Sequence, residues 1–211
     1  MAVRSLFWLL LGFEFLHWMG VLHIAKLEFS WAGLLITGGA VYAFLEFLHY
    51  RLKKYHQAEL PWFVFLFGLF PISFDAFGDM LHFYSQFSWY DQVAHFLGSA
   101  MAAAIVFSFF WTLKAANHIN WELGTKSFFA VTTAVTFGVL YELEEFGEDV
   151  LTCYHRDILP QFLDNLLPCG YRFGNAFDTG TDLFLDVVGG ITAVIVFIII
   201  LRLKKKSDIR I

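Results

Sequence analysis

Residues 91–113 are DQVAHFLGSAMAAAIVFSFFWTL, an apolar stretch that begins with two ionisable side chains, Asp91 and His95. About 20 consecutive apolar residues are enough to cross the hydrocarbon core of a bilayer as a helix. The stretch therefore predicts a transmembrane helix that carries polar groups near one end. Because charge in hydrocarbon costs several kcal/mol per group unless it is paired, protonated or bound to a cation, these side chains are candidates for function.

The composition of the whole chain indicates the same class of protein. Hydrophobic residues make up 58% of the 211 residues and charged residues 16%, whereas soluble domains carry about 25% charged residues. The mean hydropathy is +0.62. The net charge is −5, and no basic patch lies outside the segments that flank the apolar stretches. We therefore expect a lipid bilayer as partner and no nucleic acid.

Six apolar stretches approach the length of a membrane span, and the first has neither the flanks nor the cleavage site of a signal peptide. They predict an all-α fold, a polytopic membrane protein whose six-helix transmembrane bundle forms one domain over residues 1–211. The predicted spans lie near 5–25, 32–50, 61–84, 91–113, 127–147 and 181–203.

The basic residues predict the orientation of this bundle. Six spans place both termini and the loops 51–60 and 114–126 on one side of the membrane. That side has eleven lysines and arginines, and the other side has three, Lys26, Arg156 and Arg172. Basic residues favour the cytoplasmic side. We expect both termini in the cytoplasm of a cell whose plasma membrane holds the protein.

The two cysteines, Cys153 and Cys169, both fall in the predicted extracytoplasmic loop 148–180. A cysteine pair on the oxidising side of a membrane favours a disulfide, which would close this loop over the helix ends. Two unrelated free thiols are the alternative.

The ionisable residues of the spans form stripes with helical spacing, i to i+3, i+4, i+7 or i+8, so each stripe lies on one helix face. In the predicted topology all stripes meet in the outer half of the membrane. Their eight carboxylates share two histidines and no lysine or arginine, so protons or metal ions are needed to complete the site. The residues are Asp75, Asp79 and His82 on span three, Asp91 and His95 on span four, Glu142 and Glu145 on span five, and Asp178, Asp182 and Asp186 on span six.

Simpler roles exist for some acids. Asp91 and Asp178 have an alternative role as caps of spans four and six, where acids also suit the helix dipole. On span one, Glu14, His17 and His23 either join the site or pair with one another.

Three blocks of the sequence contain much of this constellation: YDQVAHF at 90–96, YELEEF at 141–146 and FDTGTDL at 177–183. In order and content they resemble the signature blocks of the YjdF-like family of predicted bacterial inner-membrane proteins. The resemblance covers roughly residues 60–200. It implies the membrane fold, the inner membrane as location and the position of the site, and it implies no particular reaction.

Oxygen-rich sites with one or two imidazoles suit Mg²⁺, Ca²⁺, Mn²⁺, Fe²⁺ or Zn²⁺. The number of acids is consistent with two ions. The leading hypothesis is a membrane-embedded metal-dependent enzyme, such as a hydrolase, acting on a lipid or lipid-linked substrate from the extracytoplasmic side, with His95 or Glu142 as base. The alternatives are a cation- or proton-coupled transporter and a non-catalytic metal-binding scaffold or sensor. The expected ligands are Asp79, His82, Asp91, His95, Glu142, Glu145, Asp178, Asp182 and Asp186.

Overall fold

The structure, a computed structural model, describes residues 2–24, 31–150 and 176–208, with the side chains of 148, 149, 176 and 204–208 excepted. These residues form helices and connecting turns, and they contain no strand. The predicted disulfide between Cys153 and Cys169 lies outside the described residues. The helices are α1 (Ala2–Trp18), α2 (Trp31–His56), α3 (Trp62–Met80), α4 (Phe83–Gln86), α5 (Tyr90–Ala115), α6 (Leu123–Asp149) and α7 (Ala176–Asp208).

Five helices of the described residues are long and apolar enough to cross a membrane. They correspond to the second to sixth predicted spans and confirm an all-helical fold with several membrane-spanning segments. The first predicted span, 5–25, contains α1, which has 17 residues and ends at Trp18. It ends there because Gly20 adopts a φ of +69°, and the backbone bonds Gly20 N to His17 O and Val21 N to Leu16 O close the helix.

Other boundaries also differ from the predicted spans, and two of them concern predicted site residues. The third span was expected to continue to residue 84, but α3 ends at Met80 because His82 has a left-handed φ of 58° before the short helix α4. His82 therefore does not continue the α3 stripe of Asp75 and Asp79. The sixth span was expected from residue 181, whereas α7 begins at Ala176 and includes Asp178 in its first turn.

The helix α5 lies at the centre of the bundle and packs against α3, α6 and α7. Small residues allow the closest of these contacts: a Cβ on Gly189 of α7 would overlap the backbone carbonyl of Phe96 on α5. Ala103 on α5 and Ala130 and Ala134 on α6 are fully buried in this half of the core. A second cluster of buried apolar side chains joins α1, α2 and α3 to α5.

One ion pair ties α1 to α2. The guanidinium of Arg4 donates from Nε to Glu46 Oε1 at 2.6 Å and from Nη2 to Oε2 at 3.2 Å, and it also lies over the ring of Phe65. A bidentate pair of this kind neutralises a carboxylate within an apolar helix. Glu46 is thereby partnered at the end of the bundle opposite the acid stripes.

Candidate functional site

The centre of the site is His95, whose imidazole is buried between α5, α6 and α7. Its Nε2 lies 3.4 Å from Glu142 Oε1 and 3.9 Å from Asp91 Oδ1, and its Nδ1 lies 3.5 Å from Asp186 Oδ1. Asp182 is buried next to it on α7, one turn before Asp186. We call these five residues the His95 centre. The antiparallel order of α5, α6 and α7 brings them together, because α5 and α7 contribute residues from their N-terminal parts and α6 one from its C-terminal part.

Asp186 is held in place by two residues that the acid stripes alone did not identify. The hydroxyl of Ser99 donates to Asp186 Oδ1 at 2.6 Å. On the other side, the carboxylate lies against Gly138 of α6, where a Cβ would overlap Oδ2. The carboxylate therefore fits only because α6 has no side chain there. Its position fixes which imidazole nitrogen of His95 faces α7.

The opposite nitrogen faces a group of oxygens suited to a cation. One potential ligand atom each from Asp91, His95 and Asp182 lies within 4.8 Å of the others. Two ligands at about 2.0–2.4 Å from one ion are at most about 4.8 Å apart, so the three fit a single coordination shell. His95 Nε2 and Asp182 Oδ1 are buried, and neither has a hydrogen-bond partner in the described part of the chain.

A second polar cluster lies beside the His95 centre, around Asp75 on α3. The hydroxyl of Tyr84 donates to Asp75 Oδ1 at 2.6 Å, and that of Tyr141 donates to Oδ2 at 3.2 Å. Glu14 of α1 is completely buried and interacts electrostatically with Asp75. We call Asp75, Glu14, Tyr84 and Tyr141 the Asp75 cluster. Helix α1 thus reaches the polar region through Glu14, at Asp75.

Tyr141 connects the two clusters. Its hydroxyl contacts Asp75, and its ring lies edge-on to the His95 imidazole with the centroids 5.6 Å apart. Tyr141 directly precedes Glu142, so the same turn of α6 contributes one residue to the Asp75 cluster and one to the His95 centre. Tyr141 therefore lies between the Asp75 cluster and the His95 centre, with a hydrogen bond to the first and a ring contact to the second.

Tyr90 holds the start of α5 against the end of α3. Its hydroxyl donates to the carbonyl of Phe74 at 2.7 Å, and the two rings stack with centroids 4.5 Å apart and planes within 3°. A Cβ on Gly78 would overlap the Tyr90 ring. The packing places Asp91 and His95 at the level of Asp75.

The remaining predicted ligands lie outside the three-residue group. Asp79 and Glu145 are buried on α3 and α6, and Asp178 is half-buried in the first turn of α7. His82 is half-buried at the start of α4. In the described residues, the structure thus assembles Asp91, His95, Glu142, Asp182 and Asp186, and places Asp75 in the neighbouring cluster.

The chain matches the model of a membrane protein family. The family model for a predicted membrane protein, DUF2238, matches residues 4–203. The chain is therefore a member of DUF2238, in agreement with its resemblance to the YjdF-like proteins, and it is an integral membrane protein in contact with lipid. No curated protein and no solved structure matches the chain.

Proposed function

We propose that this protein is a membrane-embedded, divalent-metal-dependent enzyme whose metal ligands are Asp91, His95 and Asp182. The observation that supports it is the pair of buried ligand atoms, His95 Nε2 and Asp182 Oδ1, that have no hydrogen-bond partner in the described residues. Leaving such atoms unsatisfied in a low-dielectric interior is costly. An ion bound between them and Asp91 would satisfy both.

The surroundings of His95 support a metal more than a proton. Metal-binding histidines commonly have the second ring nitrogen directed at a carboxylate, which fixes the ring orientation and raises its basicity. Asp186 has this position relative to Nδ1, and Ser99 orients Asp186 in turn. Asp186 and Ser99 are both buried. This arrangement leaves Nε2 directed toward Asp91 and Glu142.

The chemistry follows from the ligand set. A bound divalent ion would polarise an acyl or phosphoryl oxygen or lower the pKa of a water molecule. Glu142, 3.4 Å from His95 Nε2, is the residue we assign as general base. We propose a lipid or lipid-linked substrate, because the apolar side chains at this end are exposed to the bilayer: Leu143, Phe177 and Phe184 are 58%, 83% and 65% exposed.

We further propose that the protein has six spans in the plasma membrane, with both termini in the cytoplasm. Helix α1 would be the first span, in addition to the five long apolar helices. Its exposed side chains are mostly apolar, with Leu9 69% and Trp8 61% exposed, as expected of a lipid-facing helix. Eleven basic residues against three favour this orientation. The site then lies in the outer half of the membrane.

The topology is tested with single cysteines introduced into a Cys153→Ser/Cys169→Ser background. A membrane-impermeant maleimide applied to intact cells is expected to label Gln161→Cys and not Asn120→Cys. Permeabilised cells are the control, in which both are expected to react. Labelling of Asn120→Cys alone in intact cells would reverse the proposed orientation and place the site in the inner half.

The metal site is tested by metal analysis of the purified protein. We expect about one stoichiometric divalent ion, a fall in melting temperature on chelation, and loss of both effects in His95→Gln and Asp182→Asn, because bound ligand stabilises the native state. Glu122→Gln, a change at an exposed acid outside the bundle core, is the matched control and is expected to retain the ion.

Turnover is tested in the same preparation. The protein reconstituted into phospholipid vesicles with Zn²⁺, Mn²⁺ or Mg²⁺ is expected to release headgroup or acyl products, detected by mass spectrometry. Glu142→Gln is expected to keep the ion and lose about 10²-fold or more of the rate, the size usual for a general base. A folded protein without stoichiometric metal, with a melting temperature that chelator does not change, would contradict the metal site.

A folded protein without stoichiometric metal would favour a proton- or cation-coupled transporter. One observation supports this second function. Both carboxylate oxygens of Glu14 are buried without a hydrogen-bond partner among the described residues, and interactions lead from Glu14 through Asp75 and Tyr141 to His95. Chains of acids and histidines of this kind carry protons through membrane proteins.

A further inference from the structure

A lysine is buried at the end of the bundle opposite the His95 centre. Lys126, the fourth residue of α6, is 1% exposed, and its ammonium lies 5.8 Å from the centroid of the Trp111 ring. Two effects oppose a cation here. Burial removes its hydration, and the first turn of a helix is the positive end of the helix dipole. A buried lysine of this kind needs a compensating anion or π system.

A second ammonium lies beside the first. Lys114 Nζ is 5.9 Å from the same Trp111 ring, and Lys114 and Lys126 repel each other electrostatically. The ion pairs that lysine and arginine make with acids in the described residues are Arg4 with Glu46 and Lys53 with Glu59. Neither includes Lys114 or Lys126. Two adjacent cations over one ring are thus left without a described carboxylate.

Lys114 lines a groove of about 500 Å³ at the loop that follows α5, together with Asn117, His118, Ile119 and Asn120. The groove follows a turn at the end of α5. In this turn Asn117 has a left-handed φ of 57°, and its backbone N–H donates to Lys114 O. His118 is fixed by a 2.9 Å contact from its Nε2 to the carbonyl of His56. The side chains of Asn117 and Asn120 add amide donors to the ammonium groups.

The groove lies at the level of an interfacial aromatic belt. Trp111 and Trp121 are each 41% exposed, and Trp121 stacks on Phe129 with the centroids 5.4 Å apart. Tryptophans concentrate at the depth of the lipid headgroups. At the α-helical rise, Lys114 is about 28 Å along α5 from His95, so the groove is separate from the His95 centre and independent of its function.

We propose that this groove, lined by Lys114, Asn117 and Asn120 and flanked by the buried Lys126, which shares the Trp111 ring with Lys114, binds a phosphate-bearing anion. The phosphate would supply the negative charge that the described residues lack. Its depth beside the tryptophans suits the headgroup of an anionic phospholipid, in which the lipid tails lie along the exposed apolar surface of α6. Free inorganic phosphate carries the same chemistry.

The test is the thermal unfolding of the full-length protein in a neutral detergent. Three probes are compared: dioctanoyl phosphatidylglycerol, dioctanoyl phosphatidylcholine and inorganic phosphate. We expect phosphatidylglycerol to raise the melting temperature and zwitterionic phosphatidylcholine to leave it unchanged. Lys114→Gln and Lys126→Met are each expected to weaken the apparent affinity about fivefold or more, as estimated for one lysine at an anionic membrane surface.

The control is Lys54→Gln. Lys54 is also exposed near one membrane boundary and lies over Tyr50 and Tyr55, so the variant removes the same charge outside the groove and is expected to bind like the wild type. Lys114 is exposed, so Lys114→Gln decides the matter if Lys126→Met fails to fold. A shift with inorganic phosphate alone would identify free phosphate as the ligand. Equal shifts in the wild type and Lys114→Gln, or no shift with any probe, would overturn the proposal.

Discussion

Gly138→Ala is expected to lower the free energy of unfolding by about 3–5 kcal/mol and to abolish metal binding at the His95 centre. The added methyl group would overlap the Asp186 carboxylate, which occupies the space above Gly138. Overpacking of this kind costs about 1–3 kcal/mol. Displacement of Asp186 would relieve the overlap but separate the carboxylate from His95 and Ser99, and breaking a buried charge pair costs about 3–5 kcal/mol, which sets the expected loss.

The matched control is Gly98→Ala on α5, where a Cβ would meet no atom within 4 Å. There the substitution is expected to leave stability unchanged or to raise it by up to about 1 kcal/mol, because alanine favours a helix more than glycine does. Unfolding in detergent, followed by circular dichroism, measures both variants. Equal stability of the two would show that α6 and α7 separate at no cost and that Asp186 is not confined.

Much of the fold was predictable because membrane spans depend on the length and apolarity of local stretches. Spans two, four and five match α2, α5 and α6 in position. The boundaries that differed depend on backbone conformation at single residues: Gly20 closes α1, and His82 interrupts α3. A left-handed histidine has no signal in hydropathy, so the continuation of α3 to residue 84 was wrong.

The candidate site was predictable to the level of helix faces. Helical spacing identified Asp182 and Asp186 as one stripe and placed it near Asp91 and His95, and these residues do lie together. Which atoms meet was not predictable. Ser99 is a small residue within an apolar stretch, and only the structure shows that its hydroxyl donates to Asp186. The role of Gly138 depends on the distance between α6 and α7, which no local pattern encodes.

Tyr141 illustrates the same limit. It stands in the block YELEEF beside Glu142. Its sequence position alone does not indicate a role in the site, because a tyrosine in a membrane span is also an ordinary interfacial or packing residue. Only the packing of α3 against the α5–α6 pair brings its hydroxyl to Asp75. A polar residue next to a stripe of acids is therefore worth treating as part of the site.

His95→Leu is expected to lower the free energy of unfolding of the metal-free protein by about 3–5 kcal/mol. In the wild type, Glu142 and Asp186 lie 3.4 and 3.5 Å from the imidazole. In the metal-free protein a protonated imidazole would offset both charges, and without it the two carboxylates stay buried with no described compensating group between them. Removing one member of a buried pair has this cost because the other charge remains without compensation.

Adding Asp186→Asn to His95→Leu is expected to recover about 1–3 kcal/mol, so that the two substitutions are strongly non-additive. The amide keeps the shape of the carboxylate against Gly138 and the contact with Ser99, and it removes the charge that His95→Leu leaves behind.

The control adds Asp178→Asn instead, a change of the same kind two turns earlier on α7, where the side chain is half-buried. That pair is expected to be additive, because Asp178 lies about 12 Å along α7 from Asp186 at the helical rise. Additivity of both pairs would contradict a direct interaction between His95 and Asp186, and with it the orientation that leaves His95 Nε2 available to a metal.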